Sequence, residues 1–299
     1  MEKHNRSQGR ILALDTSSAA QAVAVIDESG VRFESNSLAE RNHSVNLLPE
    51  IERALRESGT DKRELAGIAV GIGPGSYTGV RIAVTTAKTL AWALKLPVAA
   101  VSSLEAQAAS GLEAAAPQGR GWIVPLVDAR RGQAYTALFA APGAAAGSAA
   151  ASQAAPGKAE AGTESPAQAE SPSAAAASAG SAAQPMLERL ADDAILLVGD
   201  WTAAIAGRLK ELPAAEQPDY ILFTGETAKH AETVLALAEL AGISPERVRL
   251  QDCAAEGRWI GAIGARKLAA GEASEPHSLL PNYTQVTEAE ANLLRRDQA

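Results

Sequence analysis

The segment Gly71-Ile72-Gly73-Pro74-Gly75-Ser76-Tyr77-Thr78-Gly79 constrains this chain more than any other, because so many glycines in one turn dictate sharp, close-packed backbone. A continuous apolar run, Gly67-Ile68-Ala69-Val70, leads into it, and a helical pattern from Val80 to Leu96 follows. The order reads as buried strand, glycine-rich turn, helix. That is the layout of a phosphate-binding loop, in which glycines admit a ligand close to the backbone and the N–H groups opening a helix favour an anion. The named fingerprints do not fit. Walker A needs Gly-Lys-Ser/Thr where the chain has Tyr77-Thr78-Gly79-Val80, and G-x-G-x-x-G needs glycine at Tyr77 or Thr78. Pro74 stands at the first glycine of a G-x-S-x-G around Ser76. A bare glycine loop of this kind packs a helix against a strand as readily as it binds phosphate.

Within the helical stretch, Val80, Val84, Ala87, Ala91 and Leu94 alternate steps of four and three and share one narrow face. Small alanines there allow close approach, and spacing alone does not separate a core-facing helix from a partner-binding one. Upstream, Arg41-Asn42-His43-Ser44 opens a second helical stretch to about Ser58. Its apolar face is Leu47, Leu48, Ile51, Ala54 and Leu55, and Pro49 must lie in a first turn or kink it. His43 has no second His, Cys or carboxylate at helical ligand spacing within that stretch, so it reads as a local contact near the helix start.

Three short strands open the chain, at 11–14, 22–26 and 31–34, with Asp15-Thr16-Ser17-Ser18 in the first turn. An Asp in such a turn commonly satisfies local backbone donors. Further on, the pattern predicts a strand at 96–101 and a helix at 104–115 capped by Ser102 or Ser103. A hairpin follows, 122–128 with 134–139, around Ala129-Arg130-Arg131-Gly132-Gln133. Then come a strand at 194–199, a helix through Leu209, a strand at 220–223, a long helix at 227–240, and a last helix at 258–270 ended by Gly271. We divide the chain into a first lobe at 10–101, a second at 102–275, and a tail at 276–299 that can return to the first.

Composition narrows the partners. Residues 141–185 hold no Val, Ile, Leu, Met, Phe, Tyr or Trp, so they cannot build a packed core and read as a flexible insertion. A net charge of -8 argues against this chain gripping nucleic acid alone. The single cysteine, Cys253, excludes an intrachain disulfide or a Cys-rich zinc site and fits a reducing compartment. With no leader-like apolar segment and no run of 18 apolar residues, a soluble cytoplasmic protein is expected.

Three blocks carry a specific resemblance: Ile11-Leu12-Ala13-Leu14-Asp15-Thr16-Ser17-Ser18, His43-Ser44-Val45-Asn46-Leu47-Leu48-Pro49, and Gly73-Pro74-Gly75-Ser76-Tyr77-Thr78-Gly79-Val80-Arg81-Ile82. In this order they closely resemble the bacterial TsaB (YeaZ) family. With Pro97 to Glu105 and Val127-Asp128-Ala129-Arg130, the resemblance covers most of residues 11–139. The close, Pro281-Asn282-Tyr283 with Glu288-Ala289-Glu290 beyond, also resembles the family's, but Thr284-Gln285 stand where Leu-Arg is usual, so no role for that arginine carries over.

The resemblance implies a two-lobed α/β fold of the actin, sugar-kinase and Hsp70 (ASKHA) ATPase class in degenerate form. In that class the first hairpin turn faces nucleotide phosphates, which singles out Asp15, Thr16, Ser17, Gly73, Gly75, Ser76 and Gly79. It also implies a non-catalytic subunit. Such a chain forms a heterodimer with TsaD and, with the ATPase TsaE, supports threonylcarbamoyl transfer to N6 of an adenosine in tRNAs reading codons that start with A. The chain itself would then need no cofactor, ATP acting in the complex and tRNA being met only through it. The docking face implied is His43, Leu47 and Ile51 with Val80, Val84, Ala87, Ala91 and Leu94, and an exposed apolar face there would favour a homodimer when the partner is absent. TsaD carries His-x-Glu-Gly-His after an equivalent loop and helix; here Ser103 and Gln107 stand at the two ligand positions, and neither is a good transition-metal ligand. Two other classes compete: an ATP-dependent phosphotransferase using Asp15 and the glycine loop, and a peptidase using Ser76, His43 and Asp15, for which nothing local argues.

Overall fold

The computed structural model describes residues 9–38, 43–143 and 187–284. Nearly all of the expected insertion, the Arg41-Asn42 pair and the Glu288-Ala289-Glu290 block lie outside the described residues. The chain lays down one pattern twice. First come β1 (Arg10–Asp15), β2 (Ala20–Asp27), β3 (Gly30–Leu38), α1 (His43–Glu57), β4 (Leu65–Gly71), α2 (Tyr77–Leu94), β5 (Val98–Val101) and α3 (Ser103–Ala115). Then follow β6 (Gly121–Arg130), β7 (Gln133–Ala141), β8 (Glu188–Leu197), α4 (Val198–Glu211), β9 (Tyr220–Gly225), α5 (Ala231–Leu235), α6 (Leu237–Ala241), β10 (Val248–Asp252) and α7 (Gly257–Ala269). Each half gives a sheet in which an antiparallel three-strand meander is extended by two parallel strands: β3-β2-β1-β4-β5 and β8-β7-β6-β9-β10. No helix among the described residues is long and apolar enough to cross a membrane.

The central strands are apolar on both faces because both are covered. Along β1, Leu12 and Leu14 point into a core shared with Leu47, Ile51, Val80 and Val84, whereas Ile11 and Ala13 point into a second core with Ile260 and Ile263 of α7. In the second sheet Trp122, Val124 and Leu126 face α4 and α6, and Ile123 and Val127 face the α3 side. Each such buried leucine or isoleucine contributes roughly 1.5–3 kcal/mol.

The expected two-lobed α/β architecture holds, with a correction to its division. The last helix of each half crosses over: α3 packs on β6, β7 and β9, while α7 packs on β1, β2, β4 and β5. Residues 257–269, assigned above to the second lobe, therefore complete the first. Sequence order cannot show this, because a crossing helix carries the same amphipathic pattern wherever it docks. Three local expectations also change. The predicted helix over 227–240 is a 3-10 turn plus α5 and α6, broken at Ala236. Val198 and Gly199 open α4 rather than closing a strand, and β10 is a strand that its two apolar residues, Val248 and Leu250, were too few to announce.

Candidate functional site

The groups that would meet a phosphate all meet one another. Asp15 ends β1 with 1% of its surface exposed. Its Oδ1 accepts the Ser17 N–H and hydroxyl at 2.8 and 2.7 Å, and its Oδ2 accepts the Ser103 hydroxyl, at the start of α3, at 2.5 Å. Burial pushes the Asp15 carboxyl above its ordinary value, against the opposing pull of the Ser103 and Ser17 bonds and of nearby His43. Gly71, at the end of β4, leaves the room that this carboxylate fills; a Cβ there would overlap Asp15 Oδ2.

The glycine loop is bound to the β1 turn, to the end of β5 and to the start of α3. The Ser76 N–H donates to the Ser17 carbonyl at 2.6 Å, the Gly73 N–H to Ser103 Oγ at 3.1 Å, and the Ile72 N–H to the Val101 carbonyl at 2.9 Å. Ser76 caps α2, its Oγ accepting the Gly79 N–H at 3.3 Å, and Thr16 Oγ1 donates to the Gly79 carbonyl at 2.6 Å. Gly79 touches the Thr16 carbonyl closely enough that a side chain there would displace backbone. The seven predicted phosphate-loop residues are thus brought together, but as a strand–loop–helix clasp in which the Ser17, Gly73, Ser76 and Gly79 N–H groups serve its own acceptors. In the proposed Ser76–His43–Asp15 relay no pair is hydrogen-bonded: Ser76 faces the helix cap and Asp15 is held by Ser17 and Ser103.

At the two positions that the resemblance to TsaD singled out for metal ligands, Ser103 spends its hydroxyl on Asp15, and buried Gln107 reaches the Leu126 carbonyl at 3.4 Å. This donor set does not fit a transition metal. Among the described residues, no three His, Cys, Asp or Glu side chains gather at metal-binding distance.

The helices carry the larger correction. Leu47, Ile51, Val80, Val84, Ala87 and Ala91 are buried in the chain's own first core, and Leu94 is packed against it. The small-residue seam serves the approach of α2 to the sheet and to α1. His43, too, is buried, with Nδ1 lacking a hydrogen-bond partner. Of these eight residues, seven are buried and Leu94 partly so. What α1 and α2 do present to solvent is Val45, Leu48, Tyr77 and Trp92. Of the two readings that spacing left open, the core-facing one holds, so the face taken from the family resemblance is the inner one, and both sides of each helix carry apolar residues.

The Asp128 turn is a local ion-pair site. Asp128 accepts Lys229 Nζ at 2.5 Å and the Arg130 N–H at 3.1 Å, with His230 Nε2 at 3.4 Å. Although burial pushes it up, the hydrogen bond and charge of Lys229 hold this carboxyl below its ordinary value. Lys229 supplies the cation.

Comparison with known proteins places this geometry among relatives. A family model described as TsaD: tRNA N6-adenosine threonylcarbamoyltransferase matches residues 34–258. The tRNA threonylcarbamoyladenosine biosynthesis protein TsaB of Bacillus subtilis is 31% identical over 282 residues, covering 94% of this chain and 96% of that protein. The TsaB of Escherichia coli is 37% identical over 130 residues, 43% of this chain and 54% of that one. Among solved structures, YeaZ from Pseudomonas aeruginosa superposes with a TM-score of 0.60 at 21% identity, covering 92% of this chain and 99% of the other.

Proposed function

The chain belongs to the TsaB (YeaZ) branch of the family described as tRNA N6-adenosine threonylcarbamoyltransferases, and on that premise we propose that it is a non-catalytic subunit of tRNA threonylcarbamoyladenosine biosynthesis, docking a TsaD partner through the outward faces of α1 and α2. One observation carries this reading. The clasp that would hold a nucleotide's phosphates is tied to itself, with Asp15 buried and the Gly73, Ser76 and Gly79 N–H groups bonded within it, while large apolar side chains are left uncovered on the two helices beside it. Val45 is 70% exposed, Leu48 54% and Trp92 66%. Apolar residues so exposed on neighbouring helices fit an interface that is covered in an assembly.

In this reading the chain binds no cofactor of its own. TsaE joins the pair, ATP acts there, and tRNA is held by the partners, as the net charge of -8 on this chain suits. The work is done in the cytoplasm, where tRNA is modified. The test is light scattering behind gel filtration, on the chain alone and mixed with the TsaD of the same organism. A 1:1 species that forms with TsaD and is lost in Leu48→Arg and Trp92→Arg supports the docking face. A homodimer of the chain alone that TsaD displaces supports it as well. Independent elution at every salt and nucleotide condition rejects it, and ATP turnover by the chain alone would then favour a phosphotransferase.

A further inference from the structure

Beyond α7 the chain returns along the first lobe. Ser274 bridges Val98 at the sheet edge, Lys88 Nζ donates to the carbonyls of His277 and Leu279 at 3.2 and 3.0 Å, and Leu279 is buried in the first core. Asn282 then reaches both lobes at once. Its N–H donates to the Ile72 carbonyl, at the foot of the glycine loop, at 2.7 Å. Its side-chain Nδ2 donates to Asp193 Oδ2, on β8 of the second sheet, at 3.0 Å. One residue further on, the Tyr283 ring lies 5.4 Å from that of Tyr77 at the start of α2.

Asp193 collects more than the tail. Its Oδ2 also accepts the Ser102 hydroxyl at 2.8 Å, and its Oδ1 accepts Arg189 Nη1 at 2.6 Å. Ser102 is the cap of α3, the helix that crosses from the first half to the second sheet. A carboxylate whose side chain is only 9% exposed thus ties the tail and the crossing helix to β8. Bonds to an ionised acceptor are directional and stronger than neutral ones, so this point resists relative rotation better than apolar packing alone.

We propose that residues 272–284 are a strap that fixes the angle between the two lobes, latched by Asn282 on Asp193. The strap holds the first lobe through backbone pairing, a lysine and a buried leucine, and holds the second through the Asn282 amide. Releasing the amide leaves the strap on the first lobe and lets the second rock about the α3–α7 crossing, a hinge motion of the ordinary kind.

The test places nitroxide labels at Glu28 and Lys210, both exposed and one on each lobe, in the full chain carrying Cys253→Ala. Electron–electron distances should give one narrow peak. Asn282→Asp sets a carboxylate against Asp193 and should widen the distribution about twofold. Adding Asp193→Asn restores an amide–carboxylate pair and should narrow it again. A parent distribution that is already broad, a narrow one in Asn282→Asp, or a broadening that the exchanged pair does not reverse overturns the latch. Should Asn282→Asp fail to fold, Asn282→Ala is read instead, and an unchanged narrow peak there rejects the proposal.

Discussion

Replacing Asp15 tests whether the clasp is a structural device. Asp15→Ala removes the acceptor for three donors. The Ser17 N–H is fixed by the backbone and loses its bond outright, whereas the two serine hydroxyls can turn to other acceptors. At about 1–3 kcal/mol for the amide and roughly 0.5–1 for each hydroxyl, the loss is about 2–5 kcal/mol. Asp15→Asn should cost less than about 1 kcal/mol, since its oxygen can serve Ser17 and its amide can donate to Ser103. The two variants must also differ from the parent in pH dependence. The folded state holds the Asp15 proton more tightly than the unfolded chain, so the parent loses stability as pH rises from the ordinary value of 3.8 through the raised one. The deficit of Asp15→Ala should therefore be largest near pH 4 and shrink toward neutrality. Urea unfolding at several pH values measures it; equal stability of the alanine and asparagine forms, or a deficit that grows with pH, would refute the reasoning.

Three further outcomes follow from the geometry. Val84→Ala, in the first core, should cost about 2 kcal/mol in urea unfolding yet leave the proposed docking of TsaD unaffected, because the residue faces the sheet; loss of TsaD binding without loss of stability would put the seam in the proposed interface. Lys229→Met should cost less than about 1 kcal/mol at pH 7, since the lysine is exposed. The pair's stabilisation is present above the ordinary carboxylate value and fades as pH falls through the depressed one, so parent and variant should converge in acid. Cys253, whose thiol burial pushes up to about 12, should resist iodoacetamide at pH 8 in the native chain and react fully in urea; rapid native labelling would contradict its packing beside Gln107 and Gly111.

Local readings succeeded where one stretch of chain settles its own state. The run Gly67-Ile68-Ala69-Val70 reads as a buried strand and is one, Ser102, one of the two caps expected, caps α3, and the three-strand opening pairs as its turns require. Asp15 and the glycine loop were both legible as one locus, since a strand end and a strand–helix turn are brought together by β1 pairing with β4. What that locus does was not legible, because its donors and acceptors come from 15–17, 71–79 and 103, which only folding places within bonding distance.

By itself the sequence determined most of the elements and their order, the opening meander with the strand–loop–helix that follows it, and the membership of a family, all of which rest on short-range pattern and turn chemistry. The tertiary structure alone decided which face of α2 is inside, that α7 belongs with the first sheet, and that Asn282 meets Asp193. The reason is common to all three. An apolar side chain reports that it will be covered but not by what, and a polar one reports that it will be satisfied but not by whom; the partner is chosen by long-range packing.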